Sequence, residues 1–255
     1  MKFLTAVHTD VGIRKKTNQD SALVMEAETD IGNVLLTVVC DGMGGLAKGE
    51  VASSAVIHSF SQWFETELPS ILSLQNPTDR IFSSWEKIAL AGNDRIAEYG
   101  KRFGVSMGTT LVAMLFAGGR YYIINIGDSR AYMVSDRLYQ LTKDQTFIQR
   151  EMDMGRMTYE EAMHSPQRNV LLQCIGASNY IEPDYFTGDV MPGQVFFLCS
   201  DGFRHIISEA ELYDNLNPMI LTDEQVMLDR AVYLIELNKS RMEPDNITVV
   251  IAKTV

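Results

Sequence analysis

Several features typical of other protein classes are missing from this chain of 255 residues. Three cysteines are too few for a disulfide framework, and Cys40 and Cys199 lie inside apolar runs, where small buried side chains are expected. A reducing cytoplasm is the compartment that this cysteine usage favours. No apolar run approaches the roughly 18 residues that cross a bilayer, and the first residues reach Asp10 too early for a secretory signal. We therefore expect no membrane association.

Basic charge is also scarce. The chain has 22 Lys and Arg against 33 Asp and Glu, which gives a formal net charge of -11. No dense block of Lys or Arg is present, so no nucleic acid is expected as a partner. An acidic surface of this kind concentrates cations instead.

The chain has no internal repeat, low-complexity tract or Pro/Gly/Ser linker, and 46% of its residues are hydrophobic. One domain over residues 1–255 is the simplest expectation. Strand-like apolar runs recur, and Gly118-Gly119 joins two of them in the manner of a tight hairpin. Ser135-Asp136 separates another pair. Consecutive hairpins predict antiparallel sheets rather than alternating strands and helices.

Helical spacing of apolar residues predicts helices over residues 50–68 and 79–100, and Trp63 and Trp85 are predicted to lie in the core. A third helix is predicted from Thr222 to Asn238, with a capping box of Thr222 and Gln225. Residues 143–190 are more polar. We interpret them as an insertion packed beside the main sheet, with a capping box of Thr158 and Glu161.

Aspartates stand at the ends of apolar runs. Asp41 follows LLTVVC, Asp128 follows YYIINI, Asp201 follows VFFLC, and Asp245 precedes ITVVIA. A carboxylate at a buried strand end is costly without a partner, and hard divalent cations prefer oxygen ligands. The set fits a two-metal hydrolytic site, in which one carboxylate bridges two ions and others hold each ion separately.

The segment Asp41-Gly42-Met43-Gly44-Gly45 is the first of these motifs. A glycine-rich loop between a strand and a helix often binds phosphate, but Ala47 breaks the dinucleotide spacing and no Gly-Lys-Ser/Thr follows. An aspartate before the loop repels bare phosphate and accepts it through a metal. Taken alone, a plain Asp–Gly turn is the alternative.

A basic loop precedes the second apolar run. It contains Arg14 and ends in Asn18-Gln19-Asp20. A solvated loop is the ordinary interpretation of such charge. The functional alternative makes Arg14 a fork for phosphate oxygens and places Asp20 near metal ions or their waters.

Taken together, these motifs resemble the metal-dependent Ser/Thr protein phosphatases of type 2C (the PPM family), most closely the compact bacterial members. The resemblance covers nearly the whole chain. Its motifs, in order, are Arg14…Asn18-Gln19-Asp20, Asp41-Gly42-Met43-Gly44-Gly45, Gly108-Thr109-Thr110, Gly127-Asp128-Ser129-Arg130, Ser200-Asp201-Gly202 and Asp245-Asn246.

The resemblance implies an α+β fold, a four-layer α-β-β-α sandwich of two antiparallel sheets flanked by helices, with residues 143–190 as a flap subdomain. It implies hydrolysis of phosphoserine and phosphothreonine in proteins by a metal-bridging hydroxide. Phosphorylated proteins would be the substrates, a Ser/Thr kinase the antagonist, and a monomer the expected state.

The same resemblance implies roles for single residues. Asp41 would bridge two Mn²⁺ or Mg²⁺ ions with help from the Gly42 carbonyl, and Asp201 and Asp245 would bind the first ion. Asp128, with Asp201, would form a third, weaker metal site. Asp20 would hydrogen-bond metal waters, and Arg14 would hold the phosphate.

Two departures from the family pattern bear on the chemistry. Many members have Glu where this chain has Gln19, and a neutral amide is a weaker ligand for a hard cation. Many eukaryotic members have a histidine, a suggested general acid, where this chain has Met43, which cannot donate a proton. His164 in the flap is a candidate donor, but an exposed histidine at a helix end is the favoured interpretation.

Other phosphatase mechanisms and two other functions compete with a metal-dependent protein phosphatase. A cysteine nucleophile needs Arg six positions later, and an aspartyl nucleophile needs Asp-x-Asp; the chain has neither. A catalytically weak sensor that binds phosphoprotein (a pseudophosphatase) is motivated by Gln19 and Met43. An enzyme acting on small phosphate esters is the other function, because the same metal site would serve it.

Overall fold

The computed structural model describes residues 1–44 and 48–255. Gly45, the last residue of the predicted glycine-rich loop, lies outside these residues. No helix in the described residues is both long and apolar enough to cross a bilayer.

Twelve strands and eight helices are found in the described residues. The strands are β1 (Phe3–Asp10), β2 (Ser21–Thr29), β3 (Gly32–Cys40), β4 (Gly42–Gly44), β5 (Met107–Thr109), β6 (Leu111–Ala117), β7 (Arg120–Ile126), β8 (Arg130–Val134), β9 (Leu138–Gln140), β10 (Asp184–Asp189), β11 (Val195–Cys199) and β12 (Ile247–Thr254). The helices are α1 (Gly49–Thr66), α2 (Leu68–Leu72), α3 (Thr78–Phe103), α4 (Phe147–Asp153), α5 (Tyr159–His164), α6 (Asp201–Arg204), α7 (Glu209–Leu216) and α8 (Glu224–Ser240).

The larger strands form two five-stranded sheets, in which every neighbouring pair is antiparallel. The first sheet has the order β1-β12-β11-β8-β9, and the second has the order β10-β7-β6-β3-β2. β4 and β5 pair separately. Gly118 and Gly119 join β6 to β7 with φ of 58° and 76°, a conformation that glycine adopts without a steric penalty. The predicted antiparallel arrangement is therefore confirmed.

The two sheets pack face to face through a buried apolar layer. Phe3, Leu35, Phe116, Phe196 and Val250 belong to this layer. The rings of Phe116 and Phe196 meet edge to face, with centroids 5.0 Å apart. Contact between side chains from both sheets shows that this layer is the centre of a sandwich.

Helices cover the two outer faces. On the second sheet, α1 and α3 place Trp63 and Trp85 in the core as predicted, with ring centroids 5.4 Å apart. On the first sheet, α8 buries Leu234 and Ile235 in a separate apolar cluster. The structure thus confirms the predicted four layers.

Two predicted helix starts have different outcomes. The capping box of Thr158 and Glu161 is present at the start of α5. The box predicted for Thr222 and Gln225 is wrong, because Asp223 caps α8 by accepting the Val226 N–H at 3.0 Å. The Thr222 hydroxyl instead donates to the Asp223 carboxylate.

Residues 143–190 contain α4 and α5, which lie outside both sheets. The last part of this range, however, forms β10, which pairs with β7 at the edge of the second sheet. The portion outside the sheets therefore ends before Asp184. The β10 segment has no alternating apolar pattern. Tyr185 and Phe186 pack on opposite faces of the strand, and no residue of the strand is fully buried.

Candidate metal centre

The strand pairing brings the predicted aspartates to one end of the sandwich. Asp20 precedes β2 and Asp41 follows β3, and the two strands are antiparallel neighbours. Asp128 follows β7 in the same sheet. In the other sheet Asp201 follows β11 and Asp245 precedes β12, which are also antiparallel neighbours. Both sheets thus contribute carboxylates to one cluster.

Burial and mutual repulsion act on these carboxylates together. Burial raises the pKa of Asp41 well above its usual range, and the charges of Asp20, Asp201, Asp128 and Asp245 raise it further. Burial is also the first cause that raises the pKa of Asp20 and of Asp128 to about 7. A bound divalent cation reverses this effect, because it favours the charged carboxylates.

The backbone of Asp41 is held by two threonines. The Asp41 N–H donates to Thr110 Oγ1 at 2.9 Å, and the Asp41 carbonyl accepts from the Thr109 hydroxyl and the Thr110 N–H. Thr110 Oγ1 lies 2.7 Å from Ser129 Oγ. These contacts fix the main chain of Asp41 and do not use its side-chain carboxylate.

Two glycines allow the aspartate-bearing segments to approach closely. A Cβ on Gly42 would lie 2.3 Å from the Gln19 carbonyl oxygen, and one on Gly202 would lie 2.2 Å from the Asn246 carbonyl oxygen. No side chain fits in either space. In each Asp-Gly pair, the glycine thus lets the backbone of the neighbouring site segment come close to the aspartate.

Asp20 is held across the two sheets. Ser200 Oγ donates to Asp20 Oδ2 at 2.8 Å. The remaining oxygen, Oδ1, is buried with no hydrogen-bond partner in the described residues, as is Oδ1 of Asp201. A buried carboxylate oxygen without a donor is unusual, and a cation satisfies it.

The loop of residues 11–20 is tied to the site by Asn246. Its side-chain amide donates to the Val11 carbonyl at 2.9 Å, and its Oδ1 accepts the Gln19 N–H at 2.9 Å. Lys15 forms an ion pair with Asp245 at 2.9 Å. Arg14 is exposed and makes no hydrogen bond or ion pair within residues 1–44 and 48–255.

Asp128 has an arginine beside it. Arg204 Nη2 lies 3.7 Å from Asp128 Oδ2 and donates to the Asp128 carbonyl at 3.0 Å. The same nitrogen is 3.4 Å from Asp144, whose two oxygens each accept a 2.7 Å bond from Arg130. Gln145 supports this region by accepting the Gly127 N–H at 2.8 Å.

Residues 12–232 match the family model described as Protein phosphatase 2C. The chain belongs to the protein phosphatase 2C family. It is 34% identical over 253 residues to the serine/threonine protein phosphatase PstP of Mycobacterium tuberculosis, covering 98% of this chain. It spans only 45% of the length of that relative. It is 31% identical over 250 residues to the serine/threonine phosphatase stp of Listeria monocytogenes, covering 96% of this chain and 93% of that protein.

Solved structures agree with this membership of the protein phosphatase 2C family. The serine/threonine phosphatase of S. agalactiae superposes with a TM-score of 0.84 at 30% identity, with all of both chains covered. The catalytic domain of PstP in complex with two manganese ions gives a TM-score of 0.79 at 32% identity, covering 99% of this chain and 98% of that one. Sequence comparison and structural superposition therefore both support the family and its fold.

The donor set fits the divalent metals of the protein phosphatase 2C family. Within the part of the chain that the structure describes, no three His, Cys, Asp or Glu side chains form a complete ligand group by themselves. Mg²⁺ needs no such group, since it binds through one or two carboxylates and retains several waters. The two unpartnered oxygens of Asp20 and Asp201 suit this mode of binding.

The two departures from the family pattern occupy defined positions. Gln19 is buried, and its backbone carbonyl accepts a hydrogen bond from the Gly42 N–H at 3.1 Å. Its side-chain amide donates to the Glu50 carboxylate at 3.4 Å. Met43 lies in β4 and lines a groove with Leu172. His164 is exposed at the end of α5, with its ring bonded to a carbonyl of the same helix, which confirms the ordinary interpretation.

A cavity of about 570 Å³ opens beside the aspartates. Asp128 and Asp201 form part of its wall, and α4 and α5 form the opposite wall with apolar side chains that include Met152 and Met163. Met152 and Met163 are therefore cavity-lining residues. A flexible thioether adapts to differing contacts.

Three residues that position the site received no role from the sequence. Ser200 and Asn246 belong to the motifs of Asp201 and Asp245, so their place in those motifs was a usable signal. Arg204 gave no such signal, because its contact with Asp128 depends on packing between distant segments.

Proposed function

We propose that this chain hydrolyses phosphoserine and phosphothreonine in proteins with two divalent metal ions, and so reverses the action of a Ser/Thr kinase. The observation that supports this most is the meeting of five aspartates at one end of the sandwich, with buried oxygens of Asp20 and Asp201 left unpartnered in the described residues. The relatives named above are serine/threonine phosphatases.

The proposed ligands are those that the family motifs imply. Asp41 and the Gly42 carbonyl would hold both ions, and Asp201 and Asp245 would hold the first ion. Bound Mn²⁺ or Mg²⁺ supplies a hydrolytic nucleophile near neutral pH and neutralises phosphoryl charge. Manganese is favoured by the two ions in the PstP complex. A third, weaker ion would use Asp128 and Asp201.

Two residues act on the water and the substrate in this proposal. Asp20, held by Ser200 at 2.8 Å, would accept hydrogen bonds from waters of the metal site. Arg14 is exposed with a free guanidinium fork in the described structure, which suits bidentate contact with phosphate oxygens. Met43 has no proton to donate, so protonation of the leaving alkoxide is assigned to water.

Protein substrates are favoured over small esters by the cavity of about 570 Å³, which continues from the aspartates to α4 and α5. This volume accommodates side chains next to the phosphorylated residue. We further propose that residues 1–255 act as one monomeric catalytic domain in the cytoplasm, with residues 143–190 as the flap. The three cysteines, all buried and unpaired, are compatible with a reducing compartment.

Phosphate release from a phosphothreonine peptide tests the function. We expect release with Mn²⁺ or Mg²⁺, none with chelator, and its loss in Asp41→Asn and Asp201→Asn variants that still fold. A small aryl phosphate assayed in parallel separates the two substrate classes, and the peptide is expected to give the larger kcat/KM.

The opposite result has a clear meaning. If a folded, metal-binding protein releases no phosphate from the peptide, the phosphatase proposal is wrong. Tight peptide binding without turnover would then support the phosphoprotein sensor that Gln19 and Met43 motivate. None of the relatives' names supports that alternative.

A further inference from the structure

A buried arginine stands at the edge of the acidic cluster. The Arg204 side chain is 13% exposed, and its Nη2 lies 3.7 Å from Asp128 Oδ2. It also donates to the Asp128 carbonyl at 3.0 Å. Arg204 is therefore close enough to neutralise Asp128 in a region where water screens charge poorly.

Arg204 is shared between two carboxylates. Its Nη2 donates to Asp144 Oδ2 at 3.4 Å and lies 3.7 Å from Asp128 Oδ2. Both Asp144 oxygens already accept 2.7 Å bonds from Arg130, in a two-point pair. Arg130 therefore neutralises Asp144, and Asp128 depends on Arg204 for its counter-charge.

The backbone fixes where Arg204 can reach. It is the last residue of α6, which begins at Asp201, so one short helix carries both a proposed metal ligand and the cation. The Arg204 Nε is buried with no acceptor in the described residues. A guanidinium with an unsatisfied donor is held there by its charge and packing rather than by a full set of hydrogen bonds.

We infer that Arg204 is an internal cation that competes with a metal ion for Asp128. The inference rests on the proposed function, in which Asp128 and Asp201 take a third, weaker ion. A cation and a divalent metal cannot both approach the same carboxylate without mutual repulsion. Arg204 consequently weakens the third ion more than the two ions at Asp41, Asp201 and Asp245.

Counting bound Mn²⁺ tests this inference without measuring activity. The signal of free Mn²⁺ in electron paramagnetic resonance is followed as the metal is titrated into the wild type and the Arg204→Gln variant. We expect two tight ions in both proteins. The affinity for the third ion should be at least about tenfold higher in the variant, because the positive charge of Arg204 beside Asp128 is gone.

Two further variants assign the effect. Arg130→Gln frees Asp144 to take Arg204 and should tighten the third ion less than Arg204→Gln does. Adding Asp128→Asn to Arg204→Gln should abolish the gain. If circular dichroism shows that Arg204→Gln does not fold, Arg204→Lys replaces it, and its shorter reach should give a smaller gain of the same sign.

The Mn²⁺ titrations can overturn the inference in three ways. An equally weak third ion in folded wild type and Arg204 variant overturns the inference and leaves the two-metal proposal standing. Three tight ions in the wild type also overturn it. Failure of the wild type to bind any ion tightly overturns both this inference and the proposed metal centre.

Discussion

Ser200 and Asp20 are 180 positions apart in the chain, and the Ser200 hydroxyl donates a 2.8 Å hydrogen bond to Asp20 Oδ2. The same hydroxyl accepts the Thr248 N–H at 3.0 Å. One buried oxygen therefore joins the start of β2 in the second sheet to the central strands of the first. It fixes the direction of Asp20 toward the other carboxylates.

Ser200→Ala is expected to weaken both the fold and the metal centre. The change leaves a buried N–H and a buried carboxylate oxygen without a partner, which costs roughly 1–3 kcal/mol in the free energy of unfolding. Mn²⁺ affinity should fall roughly 10- to 100-fold, as is typical when a ligand-orienting partner is lost. Urea unfolding and Mn²⁺ titration measure the two effects.

Ser84→Ala is the matched control. Ser84 is also buried, but its hydroxyl donates to the Ile81 carbonyl within α3. Its loss should leave Mn²⁺ affinity unchanged. An unchanged affinity in Ser200→Ala as well would contradict the orienting role.

Gly202→Ala is expected to disturb the site through sterics alone. The new Cβ would lie 2.2 Å from the Asn246 carbonyl oxygen, so the segments of Asp201 and Asp245 must move apart. We expect a loss of roughly 1–3 kcal/mol in stability and a marked fall in phosphatase activity. Thermal unfolding and phosphate release provide the measurements.

The control for this change is Gly92→Ala in α3. Its Cβ would make ordinary contacts, the nearest at 3.6 Å, and alanine raises helix propensity by roughly 1 kcal/mol. This variant should be as stable as the wild type or more so, with full activity. Equal behaviour of the two variants would show that close approach at Gly202 is unimportant.

Arg14→Ala should mainly raise KM for a phosphothreonine peptide. A charge-assisted hydrogen bond to phosphate contributes about 1.5–3 kcal/mol, so KM should rise about tenfold or more. Lys16→Ala in the same exposed loop removes equal charge without the planar fork, and it should change KM little. Steady-state kinetics at saturating Mn²⁺ decides the point, and an unchanged KM in Arg14→Ala would remove this residue from phosphate binding.

Glu211 links α7 to the end of α8. It forms the capping box with Ser208 and bonds Arg241, and these contacts, that of Arg241 first, lower its pKa from the ordinary 4.5 to about 2. A carboxylate with a lowered pKa stabilises the fold above its unfolded-state pKa, and this contribution is lost as pH falls toward 2.

Glu211→Gln should therefore lower the unfolding temperature at neutral pH, and the gap from the wild type should narrow as pH falls below about 4.5. Glu209→Gln is the control, since this exposed neighbour makes no hydrogen bond or ion pair in the described residues. Thermal unfolding across roughly pH 2–7, which brackets both pKa values, measures the gap. A gap that stays constant with pH would argue against the ionic contact.

Local patterns predicted much of this fold. The spacing of Ile81, Trp85 and Ile96 predicted α3 because that helix buries one continuous face. Gly118-Gly119 predicted its hairpin because few other residues adopt the required positive φ. β10 was not predicted, since an edge strand that is only partly covered needs no apolar alternation.

The meeting of the aspartates was predicted where chemistry and strand ends coincide. Asp41 and Asp201 each follow a buried strand and precede glycine, a local signal that can be read from one segment. The role of Ser200 as a link and the position of Arg204 were not predicted. Both depend on which distant segments the sheets bring together, and no local pattern contains that information.

The position of β12 between β1 and β11 has a consequence for biosynthesis. A ribosome makes Asp20, Asp41 and Asp128 long before Asp245 and the strand that follows it. Until that strand emerges, β1 and β11 lack their shared neighbour and the nascent polypeptide lacks one carboxylate of the cluster. A translation product that stalls before residue 245 therefore lacks both Asp245 and β12, and under the proposed function it should not hydrolyse phosphoprotein.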